Sequence, residues 1–178
     1  QFELGLTSIV TEEMLEEMRQ NVENIDYDVA AAKEKEIRHD VMAHVYEFGL
    51  KCPKAAGIIH LGATSQFVVC NTDLIIQKKA MNLIRGAILE GIKNLSAFCD
   101  QHKGLPTLGF THYQPAQPTT VGKRNTLYLQ DLIMDLEYIE QFLSTMKARS
   151  AKGTVGTQAT FLELFKGDHQ KVRELDQL

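Results

Sequence analysis

A regular apolar pattern runs through the segment between residues 119 and 148. Its apolar residues are spaced by three, four, three, four and three positions, at Leu129, Leu132, Leu136, Ile139, Leu143 and Met146. This spacing is the heptad rhythm of helices that pack nearly parallel to one another. A second stripe with steps of three and four runs from Met81 to Cys99, in a helix predicted to begin near Asn71. We therefore expect two long helices of a bundle.

Shorter helices are predicted on both sides of this pair. Thr11 can cap a first helix through its hydroxyl, and a second helix is predicted from about Tyr27 to Phe48. Two short helices are expected near residues 159–165 and 168–178, after a glycine- and threonine-containing loop at residues 152–157. No run combines alternating apolar and polar residues with β-branched enrichment, so we expect no sheet.

These elements predict an all-α fold with two parts. Residues 1–65 are expected to form a partial N-terminal helical domain, and residues 66–178 part of a long-helix bundle domain. The chain contains too few helices to cover both apolar stripes, so an oligomeric bundle is expected. Residue 1 is Gln, and the sequence stops within a predicted helix, so we expect a fragment with both ends cut.

The composition argues against several classes of protein. The net charge of -4 and the lack of a long Lys/Arg stripe argue against a nucleic-acid-binding protein. The apolar runs are too short to cross a membrane, and the first residues do not resemble a secretory signal. The cysteines are odd in number and not closely spaced, which disfavours a disulfide framework or a zinc ribbon. We expect reduced, mostly buried thiols in a cytoplasmic protein, at Cys52, Cys70 and Cys99.

Two polar clusters precede the first long helix. Arg38, His39 and Asp40 lie beside the apolar stripe of the second helix. They form either a solvated helix face, which is the favoured interpretation, or an anion site with a bidentate Arg and a His donor. In the segment from Ile59 to Ser65, His60 is either a hydrogen-bonded core histidine or a site residue. Thr64 and Ser65 either cap the next helix or hold a carboxylate or phosphate, and the spacing does not decide between these roles.

A third polar cluster lies between the two long helices, at residues 109–124. It is restrained by proline, and a restrained loop is a good platform for a fixed side chain. His112 is its titratable group, and Lys123 and Arg124 lie where the helix dipole disfavours positive charge. The later loop at residues 152–158 lacks the Gly-Lys-Ser/Thr ending of a P-loop. No helical His-Glu-x-x-His pattern and no paired Cys spacing occurs, so no metal site is expected.

Four segments of the chain together resemble the adenylosuccinate lyase family of the fumarase/aspartase superfamily, closest to its animal type. The histidine motif of the superfamily is similar to the pattern Thr111, His112, Gln114, Ala116, Pro118 and Thr120. The flanking segments match in order and spacing, at residues 38–44, 56–65, 105–112 and 153–158. The resemblance covers nearly the whole chain from about Thr11 onward.

The resemblance implies a carbon–nitrogen lyase of purine and AMP biosynthesis. Such enzymes release fumarate by β-elimination from adenylosuccinate, which gives AMP, and from SAICAR, which gives AICAR. The resemblance implies that His112 is the general acid. It also implies substrate binding by Arg38, His39, Asp40, His60, Thr64, Ser65 and Thr111. Lys123 and Gln158 are weaker candidates. Cys70 stands where relatives often carry an acidic residue.

The resemblance also implies the assembly and the missing parts of the site. No metal or organic cofactor is expected, and the partners are the small-molecule substrates and further copies of the chain. A homotetramer with active sites shared among three subunits is implied. The family's base is a serine in a Ser-Ser-x-Met-Pro-x-Lys-x-Asn-Pro pattern that these 178 residues lack, so the fragment alone is expected to be inactive. A non-catalytic helical assembly fragment, or a related lyase with another succinyl-type substrate, remains an alternative.

Overall fold

The structure of the chain is a computed structural model that describes residues 1–153 and 155–177. Thr154 of the predicted loop and Leu178 of the last predicted helix lie outside the described residues. The described residues form seven helices and two strands. In chain order these are α1 (Glu12–Asn21), α2 (Tyr27–Ile37), α3 (Asp40–Lys51), α4 (Ser65–Gln101), β1 (Pro106–Thr111), β2 (Gln114–Thr120), α5 (Val121–Thr145), α6 (Ala159–Leu164) and α7 (His169–Leu175).

The start of α1 confirms the predicted cap. Thr11 has an extended backbone, and its hydroxyl accepts a hydrogen bond from the backbone N–H of Met14 at 3.3 Å. Glu12 and Glu13 follow in the first turn, where negative charge is favourable. The two short C-terminal helices are also confirmed, as α6 and α7. The cap and the short helices depend on residues close in sequence, so the sequence alone predicts them.

The predicted single helix from Tyr27 to Phe48 is wrong. The helix breaks at Arg38, which adopts the left-handed region at φ 58° and ψ 39° and donates its N–H to the carbonyl of Glu34 at 2.7 Å. His39 then caps α3, and α2 packs against α3. The buried carboxylate of Glu47 accepts the N–H of Asp26 at 2.9 Å and so joins α3 to the start of α2. The apolar spacing continues across Arg38, so the spacing gave no sign of the break.

The expectation that the chain has no sheet is wrong as well. β1 and β2 form an antiparallel hairpin in which Thr107 pairs with Thr119 and Thr111 pairs with Gln114. β2 contains Pro115 and Pro118, which removed the strand signal from the sequence. Proline is tolerated here because both strands of a two-stranded ribbon are edges. The all-α class is otherwise confirmed, because this hairpin is small beside the helices.

The long helices occur as predicted, with different limits. α4 begins at Ser65, six residues before the predicted start at Asn71, and it ends at Gln101. α5 runs from Val121 to Thr145 and is capped by the hydroxyl of Thr120, which accepts the N–H of Lys123 at 3.1 Å. No helix among the described residues has both the length and the apolar character needed to cross a membrane.

The chain divides into two units. Unit 1 contains residues 1–72 and the described residues from 148 onward, and unit 2 contains residues 73–147. The C-terminal helices therefore pack with the N-terminal residues, whereas the predicted bundle domain includes them. The proposed domains of the longer protein, 1–65 and 66–178, stay a prediction. The core of unit 1 is formed by Leu6, Phe161, Phe165 and Val172.

Unit 2 consists of most of α4, the hairpin and α5. A salt bridge between Arg85 and Glu140 links its two helices at 2.8 Å. Gly122 is buried at the start of α5, directly against the end of α4. Large apolar side chains of unit 2 remain exposed along both helices, among them Ile75, Ile76, Leu83, Ile84, Leu127, Tyr128, Ile133, Met134, Tyr138 and Phe142.

Candidate active site

The turn between α2 and α3 carries three of the predicted binding residues. Nδ1 of His39 accepts the backbone N–H of Met42 at 3.4 Å. It also lies 3.5 Å from a carboxylate oxygen of Asp40. A nitrogen that accepts this N–H has no proton of its own, so the neutral ring carries its proton on Nε2. The turn therefore offers the Arg38 guanidinium and an imidazole N–H as donors.

A cleft of about 490 Å³ lies at this turn. It is lined on one side by Arg38, His39 and Asp40, and on the other by Ser65 and its neighbours at the start of α4. An Arg guanidinium can bind a carboxylate or phosphate through two parallel hydrogen bonds, and the hydroxyl and imidazole add further donors. The fold thus brings Ser65 to the consecutive residues Arg38, His39 and Asp40. The guanidinium, imidazole and hydroxyl can donate to an anion, and the carboxylates of Asp40 and Glu34 lie at the same cleft.

Thr64 lines different clefts from its neighbour Ser65. It contributes to one cleft of about 360 Å³ and another of about 420 Å³. Lys152 and Gly153 belong to both of these clefts. Gly153 has a φ of +66°, and a Cβ at this position would lie 3.5 Å from Cγ2 of Thr64. The loop after α5 therefore lies beside a predicted binding residue.

His60 belongs to a third cleft of unit 1, of about 440 Å³. It is half-buried there, among residues that include Asn71, Arg149 and Phe161. Neither His60 nor Thr64 lines the cleft at Arg38. Gln66 lines both the Arg38 cleft and the smaller Thr64 cleft, so the two clefts meet at the first turn of α4.

His112 and Thr111 lie in unit 2, at the closed end of the hairpin. Only His112 and Tyr113 separate the paired residues Thr111 and Gln114. Both loop residues have positive φ, 50° at His112 and 61° at Tyr113, which is the pattern of a type I′ turn. Such turns strongly favour Asn and Gly, so a His-Tyr pair is strained there. The turn places His112 exposed at the tip of the hairpin, and backbone strain of this kind is concentrated at functional sites.

The structure gives Arg124 a role within the fold. Arg124, which lies where the helix dipole disfavours positive charge, donates from Nη2 to the backbone carbonyl of Leu108 at 2.6 Å. It therefore ties α5 to β1 of the hairpin. Within the described part of the chain, no three His, Cys, Asp or Glu side chains are placed to hold a metal ion.

Comparison with known proteins places the chain in a family. A family profile described as "Lyase" matches residues 6–173. The chain belongs to this lyase family, the fumarase/aspartase superfamily. The similarity extends over both units, so it includes the Arg38 cleft, the Thr64 clefts and the hairpin.

Curated relatives give a narrower comparison. Adenylosuccinate lyase of Schizosaccharomyces pombe is 52% identical over 178 residues, which cover 99% of this chain and 37% of that protein. Adenylosuccinate lyase of Schistosoma mansoni is 51% identical over 179 residues, covering 100% of this chain and 37% of that protein. The archaeal adenylosuccinate lyase of Pyrococcus horikoshii is 31% identical over 73% of the chain and 29% of that protein. The chain thus spans little more than a third of the length of the first two relatives and less than a third of the length of the third.

Solved structures support the fold. Fumarate lyase from Mesorhizobium sp. BNC1 matches with a TM-score of 0.79 at 19% identity, over 93% of this chain and 41% of that one. The β-carboxy-cis,cis-muconate cycloisomerase of Acinetobacter calcoaceticus matches with a TM-score of 0.72 at 16% identity, over 98% of this chain and 43% of that one. At these identities the likeness concerns the fold alone.

Proposed function

We propose that the chain is part of an adenylosuccinate lyase of purine and AMP biosynthesis. The enzyme would release fumarate by β-elimination from adenylosuccinate to give AMP, and from SAICAR to give AICAR. The observation that carries this proposal is the 52% identity to the lyase of Schizosaccharomyces pombe over almost every residue of the chain. The cleft at Arg38 agrees with it, because both substrates carry carboxylates and a phosphate.

His112 is the proposed general acid. In the elimination a base removes a proton from the succinyl carbon, the C–N bond breaks, and the electron pair of the C–H bond forms the double bond of fumarate. The departing nitrogen takes a proton, and His112 supplies it. The support for this role is the two-residue turn, in which a backbone with positive φ presents the exposed imidazole at the tip of the hairpin.

The remaining candidates are proposed to bind substrate. Arg38, His39, Asp40 and Ser65 share one cleft, with Arg38 as its anion-binding group. Thr64 and His60 line neighbouring clefts in unit 1, and Thr111 precedes His112 in the hairpin. The base in this proposal is the serine that the family resemblance implies, supplied by a part of the full-length protein outside these 178 residues.

The proposed assembly is a cytoplasmic homotetramer whose active sites are built from several subunits. Apolar residues remain exposed along α4 and α5, and burial in a helical bundle between copies would remove them from water. Sharing of sites between subunits is what the family resemblance implies, and the candidates belong to both units, with His112 in unit 2 and Arg38, His60 and Thr64 in unit 1.

The test is fumarate release by the full-length protein, with adenylosuccinate and SAICAR as substrates. His112→Ala is expected to lower kcat by about 10²- to 10⁴-fold, with a much smaller change in KM. His169→Ala is the matched control, because His169 is an exposed histidine at the start of α7. A wild-type protein that cleaves neither substrate would refute the assignment. Turnover of another succinylated compound would then favour a different lyase, and no turnover at all would favour a non-catalytic assembly protein.

A further inference from the structure

A short segment after α5 forms one wall of the smaller Thr64 cleft. We call residues 148–153 the strap. Arg149, Ser150, Lys152 and Gly153 of the strap face the first turns of α4 across a cleft of about 360 Å³. The strap belongs to no helix or strand, and its residues are largely exposed. Its position therefore depends on contacts made by other parts of unit 1.

Asn71 of α4 holds the first part of the strap. Its Nδ2 donates to the backbone carbonyl of Arg149 at 3.1 Å, and its Oδ1 accepts the backbone N–H of Arg149 at 2.9 Å. The same Nδ2 also donates to the carbonyl of Phe67 in its own helix at 2.8 Å. Only a side-chain amide can donate and accept in this way, because a carboxylate lacks the donor and an apolar residue lacks both.

Asp176, just after α7, holds the second part. Its Oδ2 lies 3.1 Å from Nζ of Lys152, and its Oδ1 accepts from Nε2 of Gln158 at 2.9 Å. Each carboxylate oxygen thus has a separate partner, and the Asp176 side chain is 22% exposed. The tether connects the strap to the residue that precedes α6.

Gly153 ends the strap in the left-handed region and lines the same two clefts as Thr64. A Cβ added at Gly153 would lie 3.5 Å from Cγ2 of Thr64, which is an ordinary van der Waals distance, so the strap end lies close to this side chain. A strap that moved would change the space beside Thr64. A ligand in this cleft would then have to order the strap when it binds, which lowers affinity.

We propose that Asn71 and Asp176 are positioning residues that fix the strap and thereby the binding cleft of Thr64. The inference rests on the proposed lyase function, which makes Thr64 a substrate-binding residue. Neither residue has to touch the substrate. Their contribution is to order the cleft wall before binding, so their loss weakens substrate affinity more than it slows the chemical step.

The first experiment compares Asn71→Asp with Asn82→Asp in the full-length protein. Asn82 is the matched control, because it lies on the same helix and, among the residues that the structure describes, its Nδ2 bonds only to the Lys78 carbonyl, at 2.8 Å. Asn71→Asp keeps the shape but replaces the donor by an oxygen that repels two carbonyls. We expect amide hydrogen exchange in the strap peptide to become at least about tenfold faster. We also expect KM for adenylosuccinate to rise about tenfold, with kcat within about threefold of wild type.

Asp176→Asn provides a second variant should Asn71→Asp fold poorly. It keeps an acceptor for Gln158 and removes the charge opposite Lys152. Because a partly exposed ion pair is weak, we expect KM to rise only about threefold. Unchanged exchange in the strap, or faster exchange with unchanged KM, would overturn the proposal. So would a lower melting temperature with reduced kcat and unchanged KM, which marks a purely structural role. A wild-type protein without lyase activity refutes the proposed function instead, and the exchange comparison then decides by itself whether the tethers hold the strap.

Discussion

Replacing Gly122 by alanine is expected to destabilise unit 2 strongly. Gly122 is the second residue of α5 and is buried against the end of α4. A Cβ there would lie 2.3 Å from the carbonyl oxygen of Cys99 and 2.7 Å from the backbone N of Lys103. These are backbone atoms of a helix end, so they cannot rotate away as a flexible side chain would. The two helix ends have to move apart.

The distance by which the two helix ends must separate determines how much unfolding free energy is lost. A carbon–oxygen contact needs about 3.3 Å, so the separation must grow by about 1 Å. The hydrogen bonds from the Gly122 N–H to the His102 carbonyl at 3.0 Å, and from the Val121 N–H to the Leu105 carbonyl at 2.9 Å, then break. Overpacking costs about 1–3 kcal/mol, and each lost hydrogen bond costs about 1 kcal/mol. Alanine offsets about 0.5–1 kcal/mol of this cost, because it lowers the conformational entropy of the unfolded chain relative to glycine. The net loss of unfolding free energy is about 2–4 kcal/mol.

Gly86→Ala is the matched control with the opposite sign. Gly86 lies on an exposed face inside α4, and a Cβ there meets nothing within 4 Å. The same substitution should therefore stabilise the chain by about 0.5–1 kcal/mol, because alanine is the better helix former. Urea and thermal unfolding of the purified 178-residue chain, followed by circular dichroism, measure both variants. We expect the melting temperature to fall by about 5–15 °C for Gly122→Ala and to rise by about 1–4 °C for Gly86→Ala.

Either of two results would refute this reasoning. Gly122→Ala with an unfolding free energy within about 1 kcal/mol of wild type would mean that the helix ends are not in backbone contact. Gly86→Ala that is as destabilising as Gly122→Ala would mean that the effect is not specific to the crossing of the helix ends.

Two further predictions concern unit 1. Arg38→Gly removes the strain of a non-glycine residue in the left-handed region, which is about 1–2 kcal/mol, so the variant should unfold no more easily than wild type. Because the guanidinium is lost, KM of the full-length protein should rise about 10- to 100-fold. A destabilised variant with unchanged KM would contradict this. Burial raises the pKa of the Cys52 thiol, and Glu17 and Glu47 raise it further. Iodoacetamide should therefore modify half-buried Cys70 well before Cys52, and equal alkylation rates would contradict this prediction. The folded chain should also lose stability as the pH rises above about 8.5, because the unfolded thiol then releases its proton before the buried one does.

The long helices and their local caps could be predicted from sequence. The heptad rhythm of α5 and the Thr11 cap of α1 involve residues within a few positions of each other, so the pattern contains the necessary information. The break at Arg38 could not be predicted in the same way. It is stabilised by the contact between Glu47 and Asp26, which lie 21 residues apart, and the apolar spacing continues through it.

The hairpin was not predicted from the sequence for a different reason. Pro115 and Pro118 are strong signals against a strand, and that rule holds for central strands. In an isolated two-stranded ribbon each strand has a free edge, so the missing N–H groups have little cost. The short connection at residues 112–113, between two threonine-containing segments, was the available signal for a hairpin.

The candidate site depended on family resemblance more than on spacing. Residue patterns left a solvated helix face as the favoured interpretation of Arg38, His39 and Asp40, and only the fold brings them to one cleft with Ser65. The strap was missed because Asn71 and Arg149 are 78 residues apart, and nothing in either local sequence indicates the pairing.

The two-residue loop of the hairpin also limits how this segment can change during evolution. A third loop residue would require another class of turn, and a slip of one residue would move every strand side chain to the opposite face. His112 would then leave the tip. We therefore expect descendants of the same ancestor to differ here by substitution and to share one length. A gap between residues 106 and 120 in an alignment would mark either misaligned sequences or a protein that lacks the proposed proton donor His112.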